Sequence, residues 1–300
     1  MGGHHARVAA MLPGYTLTGI YDTDSARAQC VAAQYDITAF RSREELCAAV
    51  EAVIIATPAA THAGIAAACL RAGCHVLLEK PIAVTAAEAE ELVALHQTTD
   101  RVLMIGHVER FNPAVATLLS VLAPEEIIAA DAMRLSTTPG RDRSADVIFD
   151  LMIHDIDLAL ACVQSLPARV EAMGHRVNGS LIDHAAALIR FDNDATFSLT
   201  ASMVSHERMR KLRVLTRAEQ YTVDCATREV WVQRPGAALP EQLSVPAHDP
   251  LEREQEHFLH AIRTGLEPIT SAEAGLQAVR IAEMIQMSIG EPLLISGNVK

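Results

Sequence analysis

No apolar run in the sequence approaches the ~20 residues that a membrane-crossing helix needs. The opening Met-Gly-Gly-His-His-Ala-Arg has no apolar stretch of the secretory kind either, so a cytoplasmic home is expected and a membrane partner is not. Positive charge is scarce: 25 basic residues face 37 acidic ones, for a formal net charge of -12. That balance excludes a nucleic-acid partner, which needs clustered Lys and Arg, but not an anionic small molecule, which needs only a few local cations. The six cysteines (Cys30, Cys47, Cys69, Cys74, Cys162, Cys225) show no Cys-x-x-Cys spacing and no paired histidines, so no metal is expected. They read as buried, reduced thiols. Internal repeats and low-complexity linkers are absent as well.

What is present is ample apolar material, half of 300 residues, which suits two domains better than one core. The first third alternates short apolar runs at 16–21, 52–56, 75–78 and 102–105 with helical patterns at 25–34, 61–72 and 85–97. This is the signature of a parallel α/β sheet with right-handed crossovers. After Gly106 the pattern changes. Helices are predicted over 113–122 and 150–163, then strands over 185–191, 196–203, 212–216, 221–224 and 230–233 follow without intervening helices. Two helices, 251–264 and 272–288, close the chain. The predicted division is a dinucleotide-binding domain over 1–108 and an α+β domain with a mostly antiparallel open sheet over 109–300. The last helix returns to the first domain or stays with the second. An open sheet of this kind buries one face on helices and offers the other to a partner subunit, so association is expected.

The run 16–21 ends in Asp22. An acidic residue there is placed to bond the ribose hydroxyls of a dinucleotide and repels a 2′-phosphate, which favours NAD over NADP. A turn and helix cap is its alternative role, since Tyr-Asp-Thr-Asp-Ser has that composition too. The G-x-G-x-x-G fingerprint that should precede this strand is incomplete. The chain opens at what would be the helix start, with Gly2 as the last glycine of the fingerprint. A first strand is therefore missing from the pattern, and its absence would leave two unpaired edges inside the sheet. The natural start is expected to lie upstream by about one strand and a glycine turn.

Two clusters carry chemistry. Glu79-Lys80-Pro81 follows an apolar strand, at the carboxyl end where open α/β sheets bind ligands. A lysine there donates to a substrate hydroxyl, or takes its proton if burial or a nearby cation lowers its pKa. In Asp150-Leu-Met-Ile-His154-Asp-Ile-Asp157 the positions 150, 154 and 157 share one face of an α-helix. His154 is suited to accept a hydroxyl proton, with a carboxylate orienting its ring. Arg110, Arg134, Arg141 and Arg143 supply local cations in an otherwise acidic protein, and arginine matches a diphosphate in shape.

With these motifs in this order and spacing, the chain resembles the Gfo/Idh/MocA family of sugar oxidoreductases over nearly its whole length. The resemblance implies a Rossmann-like NAD-binding domain, and the lysine, aspartate and histidine (Lys80, Asp150, His154) around the reacting carbon. It also implies that Gly2, Asp22, Thr57, Pro58, His62, Glu79, Lys80 and Pro81 surround the cofactor, and that subunits form dimers or tetramers. The segments Gly106-His-Val-Glu-Arg-Phe-Asn-Pro-Ala114 and Asp150–Leu158 are similar to the branch that oxidises the 3-position of UDP-N-acetylglucosamine for lipid A precursors. That similarity implies substrate contacts at Arg110, Asn112, Arg141, Arg143 and Asp157. A dehydrogenase of a free polyol or inositol, and a non-catalytic sensor of the same fold, are the alternatives.

Overall fold

Side-chain caps set where several helices begin. Asp24, Ser42, Thr85 and Asp249 each accept a backbone amide two or three residues on, starting the helices Ser25–Tyr35, Arg43–Ala49, Ala86–His96 and Pro250–Thr264. The structure is a computed structural model and describes residues 1–137 and 145–290. It forms two units, Met1–Ala116 with Pro246–Val279, and Thr117–Val245 with the residues from Arg280 onward. No described helix is long and apolar enough to cross a membrane.

The first unit opens with the helix Gly2–Met11 and carries five parallel strands: β1 (Gly19–Ile20), β2 (Thr38–Ala39), β3 (Ala52–Ile55), β4 (His75–Glu79) and β5 (Leu103–Gly106). They fall into two sheets, β1–β2 and β3–β4–β5. β1 and β3 are thus both edge strands among the described residues. The strand expected over 16–21 shrinks to two residues because only the β2 side offers it a ladder. Phe40 N–H donates to Ile20 O, and Thr38 N–H to Thr18 O. Gly19 permits this close pairing, since a Cβ there would stand 2.4 Å from Thr38 O. Leu77, Met104, Phe111 and Phe258 form the core, so the helix Pro250–Thr264 packs with β4 and β5. Five of the six cysteines are buried and Cys30 is exposed, contrary to the expectation for that residue; no disulfide forms among the described residues. Burial pushes the thiols of Cys69 and Cys74 up to about 12 and about 11, with neighbouring Cys47 adding to both.

In the second unit, eight strands make one open sheet: β6 (Ile127–Thr137), β7 (Pro167–His175), β8 (His184–Phe191), β9 (Thr196–Ser202), β10 (Val204–Thr216), β11 (Gln220–Asp224), β12 (Glu229–Gln233) and β13 (Glu241–Gln242). Their spatial order is β13-β12-β11-β10-β6-β9-β8-β7, and every neighbouring pair is antiparallel except β6–β9. β6 and β7 have no counterpart in the sequence reading. β6 turns Ala130, Ala132 and Arg134 inward, so its buried face is not a stripe of large apolar residues. β7 is an edge strand with no fully buried residue.

Arg134 on β6 makes a two-pronged ion pair with Asp155, Nε to Oδ2 at 3.0 Å and Nη2 to Oδ1 at 2.8 Å. Both side chains are nearly inaccessible, 2% and 6% exposed. This corrects the reading of Arg134 as a cation for substrate: its guanidinium is committed to fastening the helix Ile153–Val163 to β6. Removing one member of a buried pair strands the other charge. Arg134→Ala is therefore expected to cost about 3–5 kcal/mol in urea unfolding, and Arg134→Met with Asp155→Leu together far less. Equal losses in the single and double variants would contradict this account.

Glu254, on the buried face of the helix Pro250–Thr264, is fully inaccessible, and neither carboxyl oxygen has a hydrogen-bond partner among the described residues. Desolvation, with nearby Glu79 adding to it, raises its pKa well above the ordinary 4.5. The folded chain keeps this proton where the unfolded chain releases it. The contribution to stability therefore falls as pH rises above the ordinary glutamate value. Glu254→Gln does not titrate, so its melting temperature relative to the parent is expected to rise by a few degrees between pH 5 and pH 8. A pH-independent difference in paired melts would contradict the assignment.

Candidate functional site

Three βα turns of the first unit gather most of the residues expected around a dinucleotide. After β1, Asp22 Oδ1 accepts from the amide of Asp24 at 2.9 Å, so the turn role is real. Its other oxygen faces Arg27, whose Nη1 lies 3.5 Å away, while Arg27 Nη2 reaches Asp24 at 3.3 Å. The sequence reading did not single out Arg27. Gly2 is the first residue of its helix, which has no side-chain cap and no acidic residue in its first turn. A Cβ at Gly2 would meet nothing closer than Ala56 Cβ at 4.0 Å, and one at Gly3 would meet nothing within 4 Å. Packing alone therefore does not demand glycine at either position. Uncapped amides beside open space suit a pyrophosphate, and a carboxylate after β1 suits a ribose.

After β3, Thr61 Oγ1 lies 2.9 Å from Thr57 Oγ1 and donates to Pro58 O at 2.8 Å. His62 is buried, and its ring spans two turns: Nδ1 to Pro81 O at 2.7 Å and Nε2 to Thr57 O at 2.9 Å. Both partners only accept, so a neutral ring satisfies one at a time. The geometry gives His62 the task of tying the β3 turn to the β4 turn.

Glu79 ends β4 and is followed by Lys80 and Pro81, which are joined by a cis peptide bond. Glu79 is 7% exposed. Its Oε1 lies 2.8 Å from His5 Nε2, and its Oε2 accepts from the Lys80 amide at 3.3 Å. Gly106 on neighbouring β5 leaves the room, since a Cβ there would come within 3.1 Å of Glu79 Cα and 3.3 Å of Oε2. Gln255 Nε2 reaches both His5 Nδ1 at 3.1 Å and His5 O at 3.2 Å, and Tyr15 donates to Gln255 O at 2.7 Å. Burial, with Glu254 adding to it, raises the pKa of Tyr15. Glu79 is thus inside the unit rather than on its surface. The sequence reading missed His5, Tyr15, Glu254 and Gln255. The available signal was positional: His5 shares a helix face with Val8 and Ala9, and Glu254 and Gln255 fall between Leu251 and Phe258 on an otherwise apolar stripe.

Arg110 lies in the short turn Val108–Phe111, half-buried. Asn112 is buried; its Nδ2 donates to Glu109 Oε2 at 3.0 Å and its Oδ1 accepts from the Ala114 amide at 3.1 Å. That is the bonding of a residue starting the helix Pro113–Val121.

The second unit holds Asp150, His154 and Asp157. Asp146 starts their segment by accepting the amides of Ile148 and Phe149 at 3.0 and 3.1 Å. The segment is not one α-helix, as expected, but a wider π turn over Ile148–Met152 followed by the helix Ile153–Val163. Such turns recur at functional sites because they re-aim side chains. Asp150 and His154 are half-buried, while Asp157 is 1% exposed. Arg141 and Arg143 lie outside the described residues.

The sequence and the fold match known proteins. The oxidoreductase family with an NAD-binding Rossmann fold matches residues 1–107, and the GFO/IDH/MocA C-terminal domain matches 131–223. The chain is 32% identical over 299 residues to UDP-N-acetylglucosamine 3-dehydrogenase of Acidithiobacillus ferrooxidans, covering 96% of this chain and 94% of that one. A solved structure of that enzyme superposes with a TM-score of 0.92 over the same shares. An inositol 2-dehydrogenase of Rhizobium meliloti is 25% identical, covering 99% and 96%. Levoglucosan dehydrogenase, solved with NADH and levoglucosan, shares the fold at a TM-score of 0.88 and 21% identity, over 97% of this chain and 95% of that one. The chain belongs to the Gfo/Idh/MocA family of NAD(P)-dependent oxidoreductases, which act on sugar hydroxyls.

Proposed function

We propose that this protein oxidises the 3-hydroxyl of UDP-N-acetylglucosamine to a ketone, with NAD as the preferred cofactor. The observation that carries the reading is the 32% identity to a UDP-N-acetylglucosamine 3-dehydrogenase across nearly the whole of both chains. In that reading His154 takes the hydroxyl proton, Asp150 orients the imidazole, and Lys80 steadies the developing alkoxide. Bound NAD supplies the acceptor for the hydride that leaves the same carbon. Arg110, Arg141 and Arg143 are the cations this reading gives to the diphosphate, and Asn112 and Asp157 are its further substrate contacts. The identity to an inositol 2-dehydrogenase supports a free polyol as the second reading.

The open face of the eight-stranded sheet supports a homo-oligomer, dimer or tetramer. Met173, Leu188 and Leu215 are exposed there, while Ile189, Phe197, Leu199 and Val214 are buried on the other face. A partner subunit would cover what the chain's own helices do not.

Cofactor reduction followed by absorbance separates the substrates. NADH is expected to form with UDP-N-acetylglucosamine and not with myo-inositol; the reverse pattern establishes the polyol reading. Lys80→Ala and His154→Ala are each expected to lower kcat by about 10²–10⁴, the range for loss of a proton-transfer group, with the KM for NAD little changed. Near-normal turnover in both variants would remove the assignment.

Asp22 tests the cofactor preference. In Asp22→Ser the repulsion of a 2′-phosphate is gone while Arg27 remains. The kcat/KM ratio of NAD to NADP is expected to fall by about tenfold or more, a change of roughly 1.4 kcal/mol. An unchanged ratio would leave the preference unexplained by this carboxylate.

A further inference from the structure

We propose that His5 and His62 are positioning residues for Lys80, two buried imidazoles that fix the chain immediately before and after it. The inference rests on the reading that Lys80 meets the reacting oxygen, and it concerns residues outside the Lys80–Asp150–His154 set.

Before Lys80, the Glu79 carboxylate turns inward to His5 Nε2 at 2.8 Å. The role of His5 follows from its other neighbour. Gln255 Nε2 lies 3.2 Å from His5 O, which can only accept, so this end of the amide is the donor. Its second hydrogen reaches His5 Nδ1 at 3.1 Å. Nδ1 is then the acceptor, and the ring proton sits on Nε2, pointing at Glu79. The same carboxylate receives the Lys80 amide at 3.3 Å, so one buried group is bonded both to the helix Gly2–Met11 and to the Lys80 backbone. Gly106 supplies independent support, because a side chain at that position on β5 would press on Glu79. Glu254 also lies near Glu79, and burial that keeps it protonated avoids setting a second bare charge beside it.

After Lys80, Pro81 O lies 2.7 Å from His62 Nδ1 and is held in the tautomer that carries its proton there, with Thr57 O, 2.9 Å from Nε2, as the competing acceptor. The segment Glu79–Pro81 is therefore gripped at both ends by side chains of other elements. A shift of about 1 Å in a group that must meet a reacting atom costs up to 10²-fold in rate, which is the scale this clamp protects.

The helix Gly2–Met11 is also the one whose amino end is expected to face the cofactor. His5 thus ties the cofactor helix to the lysine loop through a single buried bond.

The test compares the parent with Lys80→Ala, His5→Ala, His5→Gln and His62→Ala, with NAD and UDP-N-acetylglucosamine as probes and a thermal melt of each protein. His5→Ala and His62→Ala are expected to lower kcat by about tenfold to 10²-fold while the KM for NAD moves much less. His5→Gln keeps a donor toward Glu79 and is expected to recover most of the lost rate, which a purely structural role would not give. A second readout needs no substrate. The chain has three lysines, Lys80, Lys211 and Lys300. Trace acetylation by acetic anhydride, read by mass spectrometry, gives the reactivity of Lys80 against exposed Lys211. That ratio is expected to change several-fold in His5→Ala and to stay near the parent value in His5→Gln.

Parent-like kcat and acetylation ratio in a folded His5→Ala protein would overturn the inference, as would His5→Gln behaving like His5→Ala. If Lys80→Ala is fully active, the role given to Lys80 fails. If Lys80→Ala is inactive and His5→Ala normal, only the clamp fails. Should UDP-N-acetylglucosamine give no turnover, the acetylation ratio alone decides.

Discussion

A carboxylate buried at the end of a parallel strand has to be compensated, and the way Glu79 is compensated organises the first unit. Left bare, such a charge would be neutralised or driven to the surface. Here it is reached by an imidazole from the first helix and by the amide of the next residue, beside a glycine that leaves space for it. Gln255 then serves the imidazole, Tyr15 serves the Gln255 backbone, and Glu254 is buried nearby. Residues far apart in sequence are thereby committed to one another. This accounts for the return of residues 246–279 to the unit that begins the chain.

The second unit solves a related problem with different residues. Asp155 is the chain neighbour of His154, as Glu79 is of Lys80, and it too is buried and paired, here with Arg134 from β6. In both units a side chain proposed for chemistry sits next to a buried carboxylate held from another element. The reach of a half-exposed lysine or imidazole depends on where its backbone stands. Fixing the adjacent backbone through a neighbour is the available remedy, and buried ionic groups give it direction. The net stability such pairs add over apolar replacements is small.

The outlines of this molecule were legible where side-chain pattern and backbone needs agree. The runs at 52–56, 75–78 and 102–105 became β3, β4 and β5 within a residue or two, because a buried parallel strand is apolar on both faces. Glu79-Lys80-Pro81 was readable because a polar tripeptide ending such a strand stands out. β6 was not, since its inner face is alanine and a salt-bridged arginine, and Arg134 itself looked like a substrate cation. The π turn under Asp150 was hidden because its sequence suits an α-helix equally well. His5 was the least legible of all. Its meaning depends on Glu79 and Gln255, which lie 74 and 250 residues away.

Committing Arg134 to Asp155 also sharpens the question of substrate. A diphosphate is recognised by cations, and arginine matches its shape. Besides Arg134, which is bonded to Asp155, the arginines proposed for that role are Arg110, half-buried in the turn before the helix Pro113–Val121, and Arg141 and Arg143. A free polyol needs none of these, because hydroxyls are satisfied by carboxylates, amides and imidazoles. The distinction between the two readings therefore comes down to whether those three arginines bear on affinity. Replacing them separates a nucleotide sugar from a polyol on charge alone, with Lys80 and His154 left untouched.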